Sequence, residues 1–324
     1  MGYKIGSFNM MNLGFTALGN NTARNLEKIA EIIRGEQFDI VALQEVLSAG
    51  KAFEASDKYI ERSILYNLGP NWGFKWAEAE STGGDHRHEG YAFLWNKGTM
   101  RMASTILDDG TERTFYPRIC RVNHGNMIRK PLYGRFTPQG TYVSVPFEIR
   151  LLCVHTYYGD DKALGGRIIR EREINTLLQE IYPQISDRVY RSNMPSYTFV
   201  LGDYNAELRR PWLDELKRSP IPLSIPDYVI AKNWDDMKVL TVQDQLTTLK
   251  APPREGTEQA DTSKNQRYSH NYDHFSYEDS SRYHELNIRC RRVDAVRKYE
   301  GDDIDKYRRE VSDHLPILMT LNIN

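Results

Sequence analysis

Two continuous apolar runs constrain the fold of this chain most strongly. They are FDIVALQEV, residues 38–46, and SYTFVLGD, residues 196–203. A strand that is apolar at successive positions is buried on both faces, whereas a strand with one solvated face alternates between apolar and polar residues. We therefore expect strands at the centre of the molecule with other layers packed over both of their faces.

Two amphipathic segments provide such outer layers. In NTARNLEKIAEIIRG an apolar face is predicted, with Asn21 or Thr22 as the N-cap and Gly35 as the stop signal. The second helix, RIIREREINTLLQEIY, has Ile169, Glu173 and Leu177 near its inward face. The apolar face of the first helix is formed by Leu26, Ile29, Ala30 and Ile33.

Many other predicted strands follow one another directly, so strands outnumber helices. They lie in YKIGSF, GYAFLWN, the region 131–158, YDHFSY, LNIRCRRVDAV and LPILMTL. This mixture predicts an α/β (α+β) fold, a four-layer α/β/β/α sandwich of two packed mixed sheets with helices outside. We expect one domain over residues 1–324, with loop insertions near 107–131 and 251–271. The second insertion is polar and is predicted to be a mobile surface loop; either insertion could shape substrate access or be decoration.

Composition narrows the functional classes. The net charge is −1 among 324 residues, which argues against a broad electrostatic nucleic-acid binder but allows a local basic cleft. The three cysteines are widely spaced and form no disulfide framework, and Cys153 in LLCVH is expected in the core. No apolar stretch reaches the length of a membrane span. We expect a soluble cytoplasmic protein, or a secreted one if a signal peptide has been removed.

Polar side chains stand at the ends of seven apolar segments. One such residue would be unremarkable, because polar loops often cap strands, but seven suggest that the strand ends converge on a single site. These residues are Asn9, Gln44 and Glu45, Glu89, His155, Asp203 and Asn205, Asp273, and Asp313 with His314.

The residue types in this set favour one kind of chemistry. Carboxylates with an amide oxygen and no thiolate cluster suit a hard cation such as Mg²⁺ or Mn²⁺. The sequence has no phosphate-binding GxxxxGK[ST] loop, no GxGxxG, no GxSxG and no HExxH. A metal, a base and two imidazoles together fit the hydrolysis of a phosphate ester.

The segments SFN, DIVALQEV, HEGYAFLW, VHTYY, LGDYNA, YDHFSY and SDHLPI, in this order, resemble the motifs of the endonuclease/exonuclease/phosphatase superfamily. The closest resemblance is to deoxyribonuclease I-like nucleases. It implies a divalent-metal-dependent endonuclease that hydrolyses DNA, or RNA, to 5′-phosphate ends. The implied cofactor is Mg²⁺ or Mn²⁺, with Ca²⁺ as a candidate structural ion. The expected partner is nucleic acid, with DNA favoured, and the protein is expected to be a monomer that does not bind membranes.

The resemblance also implies roles for residues at the metal and the phosphate. Glu45 resembles the principal metal ligand, with Asn9 beside it, and Asp313 would help to hold the metal or its water. Arg129 of IRKP resembles an arginine that family nucleases direct at a phosphate.

Two carboxylate–imidazole dyads are implied in the same way. Glu89 resembles the carboxylate that orients His155, and Asp273 resembles the partner of His314. A carboxylate on one ring nitrogen fixes the tautomer and raises the pKa of the imidazole, so each histidine becomes a competent general acid. His274 should face away from Asp273 by strand alternation.

Asp203 and Asn205 resemble the pair that positions the nucleophilic water and binds a phosphoryl oxygen. Their spacing of two places both side chains on one face if the segment is extended. If the segment turns instead, Asn205 is a local cap.

The sequence departs from secreted deoxyribonuclease I at two positions. Leu47 stands where that enzyme has a minor-groove arginine, and Arg87 stands where it has an aromatic residue. A preference for double-stranded DNA is therefore not implied. The alternatives are a phosphomonoesterase, a phospholipid or inositol-phosphate hydrolase, and a catalytically silent binding protein. The last is disfavoured because every motif retains its chemically active residue.

Overall fold

The computed structural model describes residues 2–14, 24–48, 53–81, 88–120, 127–140, 146–158, 164–190, 194–208, 237–240, 245–252, 267–278, 280–283 and 285–323. The strands are β1 (Gly2–Leu13), β2 (Ile40–Ser48), β3 (Trp72–Ser81), β4 (His88–Asn96), β5 (Met100–Met102), β6 (Ser104–Ile106), β7 (Glu112–Thr114), β8 (Arg118–Ile119), β9 (Leu132–Pro138), β10 (Glu148–His155), β11 (Ser196–Asp203), β12 (Met237–Leu240), β13 (Asp273–Glu278), β14 (Leu286–Arg292) and β15 (Ile317–Ile323). The helices are α1 (Leu26–Gly35), α2 (Phe53–Leu68), α3 (Leu164–Thr176), α4 (Tyr182–Ser186), α5 (Ala295–Glu300) and α6 (Ile304–Glu310).

The strands form two large mixed sheets. The first has the order β14-β15-β1-β2-β4-β3, and the second has the order β12-β13-β11-β10-β9-β5, with β8 also paired to β9. Each sheet has one parallel pair near its middle, β1 with β2 and β10 with β11, among antiparallel neighbours. These two parallel pairs contain the apolar runs 38–46 and 196–203.

Three apolar clusters separate four layers. The central cluster joins the two sheets, and Phe93 of the first sheet meets Phe136 of the second edge-on, with ring centroids 5.5 Å apart. A second cluster packs α1, α2, α5 and α6 on the outer face of the first sheet, and a third packs α3 and α4 on the outer face of the second. The structure thus confirms the α/β/β/α sandwich with two packed mixed sheets. The single domain over 1–324 stays a prediction.

Helix α1 shows why its segment is helical. Its buried residues Ile29, Ala30, Ile32 and Ile33 form the expected apolar face. The N-cap is Asn25, whose side chain accepts from the Lys28 N–H at 3.0 Å. The predicted N-cap at Asn21 or Thr22 was therefore wrong: Asn25 satisfies an otherwise unpaired N–H of the first turn, so the helix begins later.

The helix after α3 changes its hydrogen-bonding pattern. A π-helical turn over Leu177–Ile181 joins α3 to the short α4, which has Pro183 in its first turn. Proline lacks the N–H that would continue the α-helical ladder, which gives a local reason for the change. Both Glu173 and Leu177 are buried, as the sequence predicts.

Other sequence expectations need correction or lie outside the described residues. The insertion at 107–131 is not a plain loop, because β7 pairs with β6 in a two-stranded sheet and β8 joins β9. Of the insertion at 251–271, residues 253–266 lie outside the described residues, and Tyr268 is bridged to Leu249. Across the part of the chain that the structure describes, no helix is both long and apolar enough to cross a membrane.

Candidate active site

Strand alternation places most of the candidate side chains on one surface. In β10 the residues facing the opposite sheet are Ile149, Leu151 and Cys153, and His155 continues this series. The same parity applies to Glu89 in β4, Asp203 in β11 and Asp273 in β13, since each is an even number of residues from a side chain of the central cluster. All of these polar residues therefore lie at the end of the space between the two sheets.

Glu45 reaches this site by breaking the alternation of β2. Val41 and Leu43 face the helices, so regular alternation would turn Glu45 toward the helices too. Instead the pairing of β2 with β4 shifts register between Leu43 and Val46, and Glu45 has φ of 54°. A left-handed glutamate costs about 1–2 kcal/mol, so the surrounding contacts must hold it there.

Asn9 connects Glu45 to Asp203. Its amide nitrogen donates to Glu45 Oε1 at 3.0 Å and to Asp203 Oδ2 at 2.9 Å, while its amide oxygen accepts from the Met11 N–H at 2.9 Å. The other carboxylate oxygen of Glu45 accepts from the Asn12 N–H at 3.0 Å. Asn9 thereby links one side chain from each of the two sheets.

The first dyad is present in the predicted form. His155 Nδ1 contacts Glu89 in a short hydrogen bond, and the other oxygen of Glu89 lies 2.9 Å from Arg129 Nε. On its far side, His155 Nε2 lies 3.7 Å from both Glu45 Oε1 and Asp203 Oδ2. The carboxylate of Glu89 therefore binds an imidazole and a guanidinium together.

The second dyad approaches Asp203 from the other direction. His314 Nδ1 lies 2.9 Å from Asp273 Oδ2, and His314 Nε2 lies 3.6 Å from Asp203 Oδ2. The two imidazoles thus face the same carboxylate oxygen of Asp203. As expected, His274 does not join them, because its Nε2 lies 2.8 Å from the carbonyl of Ala206.

The neighbours of each imidazole set its proton affinity. Burial and Arg129 oppose the charged form of His155, but Glu89 and Asp203 together outweigh them and raise its pKa. Burial opposes the charged form of His314 as well, yet Asp273 and Asp203 raise its pKa well above the usual value. Burial also raises the pKa of Asp273, against the attraction of His314.

The pKa of Glu89, the carboxylate of the first dyad, is lowered, whereas the pKa of its partner His155 is raised. Burial would raise the pKa of Glu89, but His155 and Arg129 together outweigh burial and lower it. Glu89 is therefore held as a carboxylate that accepts from His155.

The segment after β11 turns rather than continuing as a strand. Asn205 has φ of 47°, and its N–H donates to Asp203 Oδ1 at 2.7 Å. Its amide nitrogen donates to the carbonyl of Thr156 at 2.8 Å. The extended arrangement that would align Asp203 and Asn205 is wrong, and the alternative of a local turn is observed, because Asp203 itself caps the turn.

Gly202 permits the close approach of β11 to β10 next to Asp203. It has φ of 146°, and a Cβ at this position would lie 2.0 Å from the carbonyl oxygen of Val154. Only glycine fits there, since both the conformation and the space exclude a side chain. This close approach places Asp203 beside His155 in the register of β10 and β11.

Arg129 and Asp313 lie at the site with contacts that sequence patterns did not specify. Arg129 binds Glu89 and donates to the carbonyl of Thr156 at 3.2 Å. Asp313 Oδ2 lies 3.9 Å from Arg308 Nη2, and the charge of Asp313 raises the pKa of His314. Their predicted roles, at a phosphate and at a metal, stay predictions.

Sequence reasoning missed three residues that support the site. Glu173 of α3 accepts from the N–H groups of Ile128 at 2.7 Å and Tyr157 at 2.5 Å, which are next to Arg129 and Thr156 in the chain. Ser312 Oγ donates to the carbonyl of Asn9 at 2.7 Å and accepts from the His314 N–H at 3.0 Å. Arg24 donates to the carbonyl of Met11 at 3.0 Å. A carboxylate on the inward face of a helix was the one signal present, at Glu173.

The side chains present are compatible with Mg²⁺. No group of three or more His, Cys, Asp or Glu forms a metal cage within the described residues. Mg²⁺ keeps several waters and commonly takes only one or two protein carboxylates, so Glu45 and Asp313, whose charges both act on Arg24, suit it better than a metal that needs a closed cage. Asn9 turns its amide nitrogen toward Glu45, and its role as a metal ligand stays a prediction.

Comparison with known proteins places this arrangement in a family. The sequence profile of the Endonuclease/Exonuclease/phosphatase family matches residues 6–314. The chain therefore belongs to this family, whose members are phosphoric ester hydrolases that generally use divalent metals. No curated protein sequence matches the chain.

Solved structures show the same fold at low sequence identity. A family protein from Leptotrichia buccalis C-1013-b has a TM-score of 0.57 at 15% identity, with 99% of this chain and 100% of that chain covered. ANGEL2, a 2′,3′-cyclic phosphatase in complex with adenosine-2′,3′-vanadate, has a TM-score of 0.56 at 11% identity, with 100% and 96% covered. Humanized D. rerio TDP2 has a TM-score of 0.54 at 14% identity, with 99% of each chain covered.

Proposed function

We propose that this protein is a divalent-metal-dependent phosphodiesterase that hydrolyses nucleic acid, with DNA as the favoured polymer, to 5′-phosphate ends. The observation that carries the proposal is the approach of two carboxylate–imidazole dyads to one oxygen of Asp203, at 3.7 Å from His155 and 3.6 Å from His314. Glu45 stands beside them, within 3.7 Å of His155. Membership of a family of phosphoric ester hydrolases supports the reaction type.

The reaction assigns distinct tasks to the two dyads. Asp203 accepts a proton from the attacking water, because its Oδ1 is fixed by the Asn205 N–H and its Oδ2 by Asn9. As the bond from phosphorus to the leaving oxygen breaks, the imidazolium of His314 donates its Nε2 proton to that oxygen. His155, held by Glu89, donates to a phosphoryl oxygen and stabilises its developing charge. A divalent ion held by Glu45, with Asp313 and Asn9 as the further predicted ligands, would supply Lewis-acid stabilisation of the same oxygens.

A substrate panel tests this proposal. The full chain is assayed on plasmid DNA, single-stranded DNA, RNA and a small phosphate ester, each with Mg²⁺, with Mn²⁺ and with EDTA. We expect metal-dependent cleavage of plasmid DNA to products with 5′-phosphate ends. The small ester is included because ANGEL2, which has the same fold, is a 2′,3′-cyclic phosphatase.

Matched variants tie any activity to the site. Asp203→Asn should abolish cleavage, whereas Glu112→Gln, an exposed carboxylate on β7, should cleave as the parent does. Turnover of the small ester without cleavage of any polymer would transfer the assignment to the phosphomonoesterase alternative. No hydrolysis of any substrate with either metal would favour the catalytically silent binding protein.

A further inference from the structure

A cavity of about 320 Å³ opens at the end of the second sheet opposite the candidate active site. Strands β10 and β11 end at His155 and Asp203, and their other ends begin at Glu148 and Ser196. Seven residue steps at 3.3 Å each separate the two ends of β10 by about 23 Å. The cavity lies between these strand beginnings and the chain that follows α4, so it is a separate site.

Arginine side chains dominate the cavity wall. Arg150 lines the cavity and is 3% exposed, whereas Arg188 and Arg282 line it from exposed positions. Asp187 is the one acidic residue among the described lining residues. Glu285, whose charge raises the pKa of Tyr197, does not line the cavity.

A buried ion cluster behind the wall adds further positive charge. Arg135 Nε lies 2.9 Å from Glu148 Oε1, and Arg150 Nε lies 2.6 Å from the same oxygen. Arg135 also stacks on the ring of Tyr190, with its guanidinium carbon 3.3 Å from the ring centroid. One carboxylate thus balances two buried guanidinium groups.

The charges around the cavity do not cancel. Among the described residues, four guanidinium groups of the wall and the cluster behind it face Asp187 and Glu148, and Glu285 near Tyr197 adds a third carboxylate, which leaves one positive charge in excess. Excess positive charge at a cavity makes its potential attractive to an anion. Arginine presents donors in a planar fork that matches the oxygens of a phosphate.

A buried hydroxyl in the wall points independently to a ligand. Ser186 lines the cavity, is 2% exposed, and its Oγ has no hydrogen-bond partner among the described residues. Its backbone carbonyl accepts from Arg150 at 3.2 Å, which places the residue against the cationic wall. A buried hydroxyl without a partner is unfavourable, and Ser186 would gain a partner by turning its hydroxyl toward the oxygen of an anion in the cavity.

We propose that this cavity is a second ligand site, separate from the active site, which binds the phosphate of a free phosphate ion or of a phosphate monoester. Arg150, Arg188 and Arg282 supply charged donors, and Ser186 supplies a neutral one. Tyr190 forms an apolar wall beside them. The volume exceeds that of a phosphate ion alone, so a sugar attached to the phosphate also fits.

Calorimetric titration tests the site with the candidate active site disabled. The full chain carrying His155→Ala and Arg129→Ala is titrated in EDTA with inorganic phosphate and, separately, with thymidine 5′-monophosphate at constant ionic strength. We expect one-to-one binding, and the tighter of the two titrants identifies whether the ligand is the free ion or a phosphate monoester. Adding Arg188→Ala and Arg282→Ala should weaken binding by at least about tenfold, because a hydrogen bond to a charged group contributes that much.

Two further variants separate a site from general charge effects. Arg62→Ala with Arg289→Ala removes two exposed arginines elsewhere, from α2 and β14, and should leave the phosphate affinity unchanged. Ser186→Ala should weaken binding several-fold without lowering the melting temperature, because it removes a hydroxyl that has no hydrogen-bond partner among the described residues. The proposal is overturned if phosphate does not bind, or if the Arg188/Arg282 variant binds it as tightly as the Arg62/Arg289 variant.

Discussion

The two histidine dyads have the same parts but different surroundings. Glu89 binds both His155 and Arg129, so its negative charge is shared between an imidazole and a guanidinium. The Asp273–His314 pair has no arginine in contact with its carboxylate among the described residues, and Asp203 adds a second negative charge. The pKa of His314 is accordingly raised further than that of His155.

The difference shows how one motif can serve two purposes. A histidine that keeps its proton firmly is suited to protonate a leaving oxygen, and His314 has this character. Arg129 opposes the rise in the pKa of His155, and His155 is suited to donate to a phosphoryl oxygen. The surroundings, rather than the residue types, distinguish the dyads.

Removing either imidazole tests the comparison most severely. His155→Ala and His314→Ala should each lower kcat on plasmid DNA by about 10²–10⁴-fold, because each removes a proton donor from the transition state. Circular dichroism and the melting temperature check that the fold persists. Near-parental turnover in one variant would remove that histidine from the mechanism and leave a single working dyad.

Glu45 lies beside His155 of the first dyad, 3.7 Å from its Nε2, and is the predicted principal metal ligand. Its loss should therefore act through the metal. Glu45→Gln is expected to raise the Mg²⁺ concentration for half-maximal rate by at least about tenfold. The measurement is a metal titration of plasmid cleavage, with Glu112→Gln as the control. An unchanged titration curve would exclude Glu45 as a ligand.

Removing the carboxylate of the second dyad should shift the pH dependence of turnover. Asp273 raises the pKa of His314, so Asp273→Asn should lower it and move the alkaline limb of the pH–kcat profile to lower pH. We expect a loss of about tenfold in kcat at neutral pH. A limb that stays in place would show that His314 does not titrate there.

In the first dyad, removing Arg129 should shift the pH profile in the opposite direction. Arg129 lowers the pKa of His155, so Arg129→Gln should raise that pKa and move the limb due to His155 toward higher pH. The shift follows because removal of the guanidinium removes a positive charge that disfavours the imidazolium. The pH profile of kcat measures it, and a shift to lower pH would contradict the assigned role of Arg129.

Glu173 should have the smallest effect, since it touches neither dyad directly. It fixes the backbone next to Arg129 and after Thr156, so Glu173→Gln should lower kcat only a few-fold. The pH limb of His155 should move with it if Arg129 is displaced. An unchanged profile with lower stability would make Glu173 a purely structural residue.

Strand parity made much of the fold and the site predictable. His155, Asp203 and Asp273 continue the series of core residues in their own strands, so a sequence pattern alone locates them. Glu45 does not follow this pattern, because its position depends on a left-handed backbone that alternation cannot show. The motif resemblance, rather than periodicity, selected it.

Several elements were not predicted, for physical reasons. Helices α5 and α6 have six and seven residues, too short to show an apolar period, and depend on the N-caps Asp294 and Asp303. Helix α2 buries Ile60, Ile64 and Leu68 at spacings of four, but the rest of its sequence has weak contrast between faces. The ion cluster at Glu148 unites residues from β9 and β10, a contact that no local pattern contains.

The left-handed residues at the site have an evolutionary consequence. Among the described residues, six that are not glycine have positive φ, and four of them, Met11, Asn12, Glu45 and Asn205, lie at the site. Glycine would relieve such conformations, and at Asn12 it would retain the N–H that binds Glu45. Selection for thermostability alone would therefore replace residues here, so stabilised descendants of this protein should be screened for turnover as well as for melting temperature.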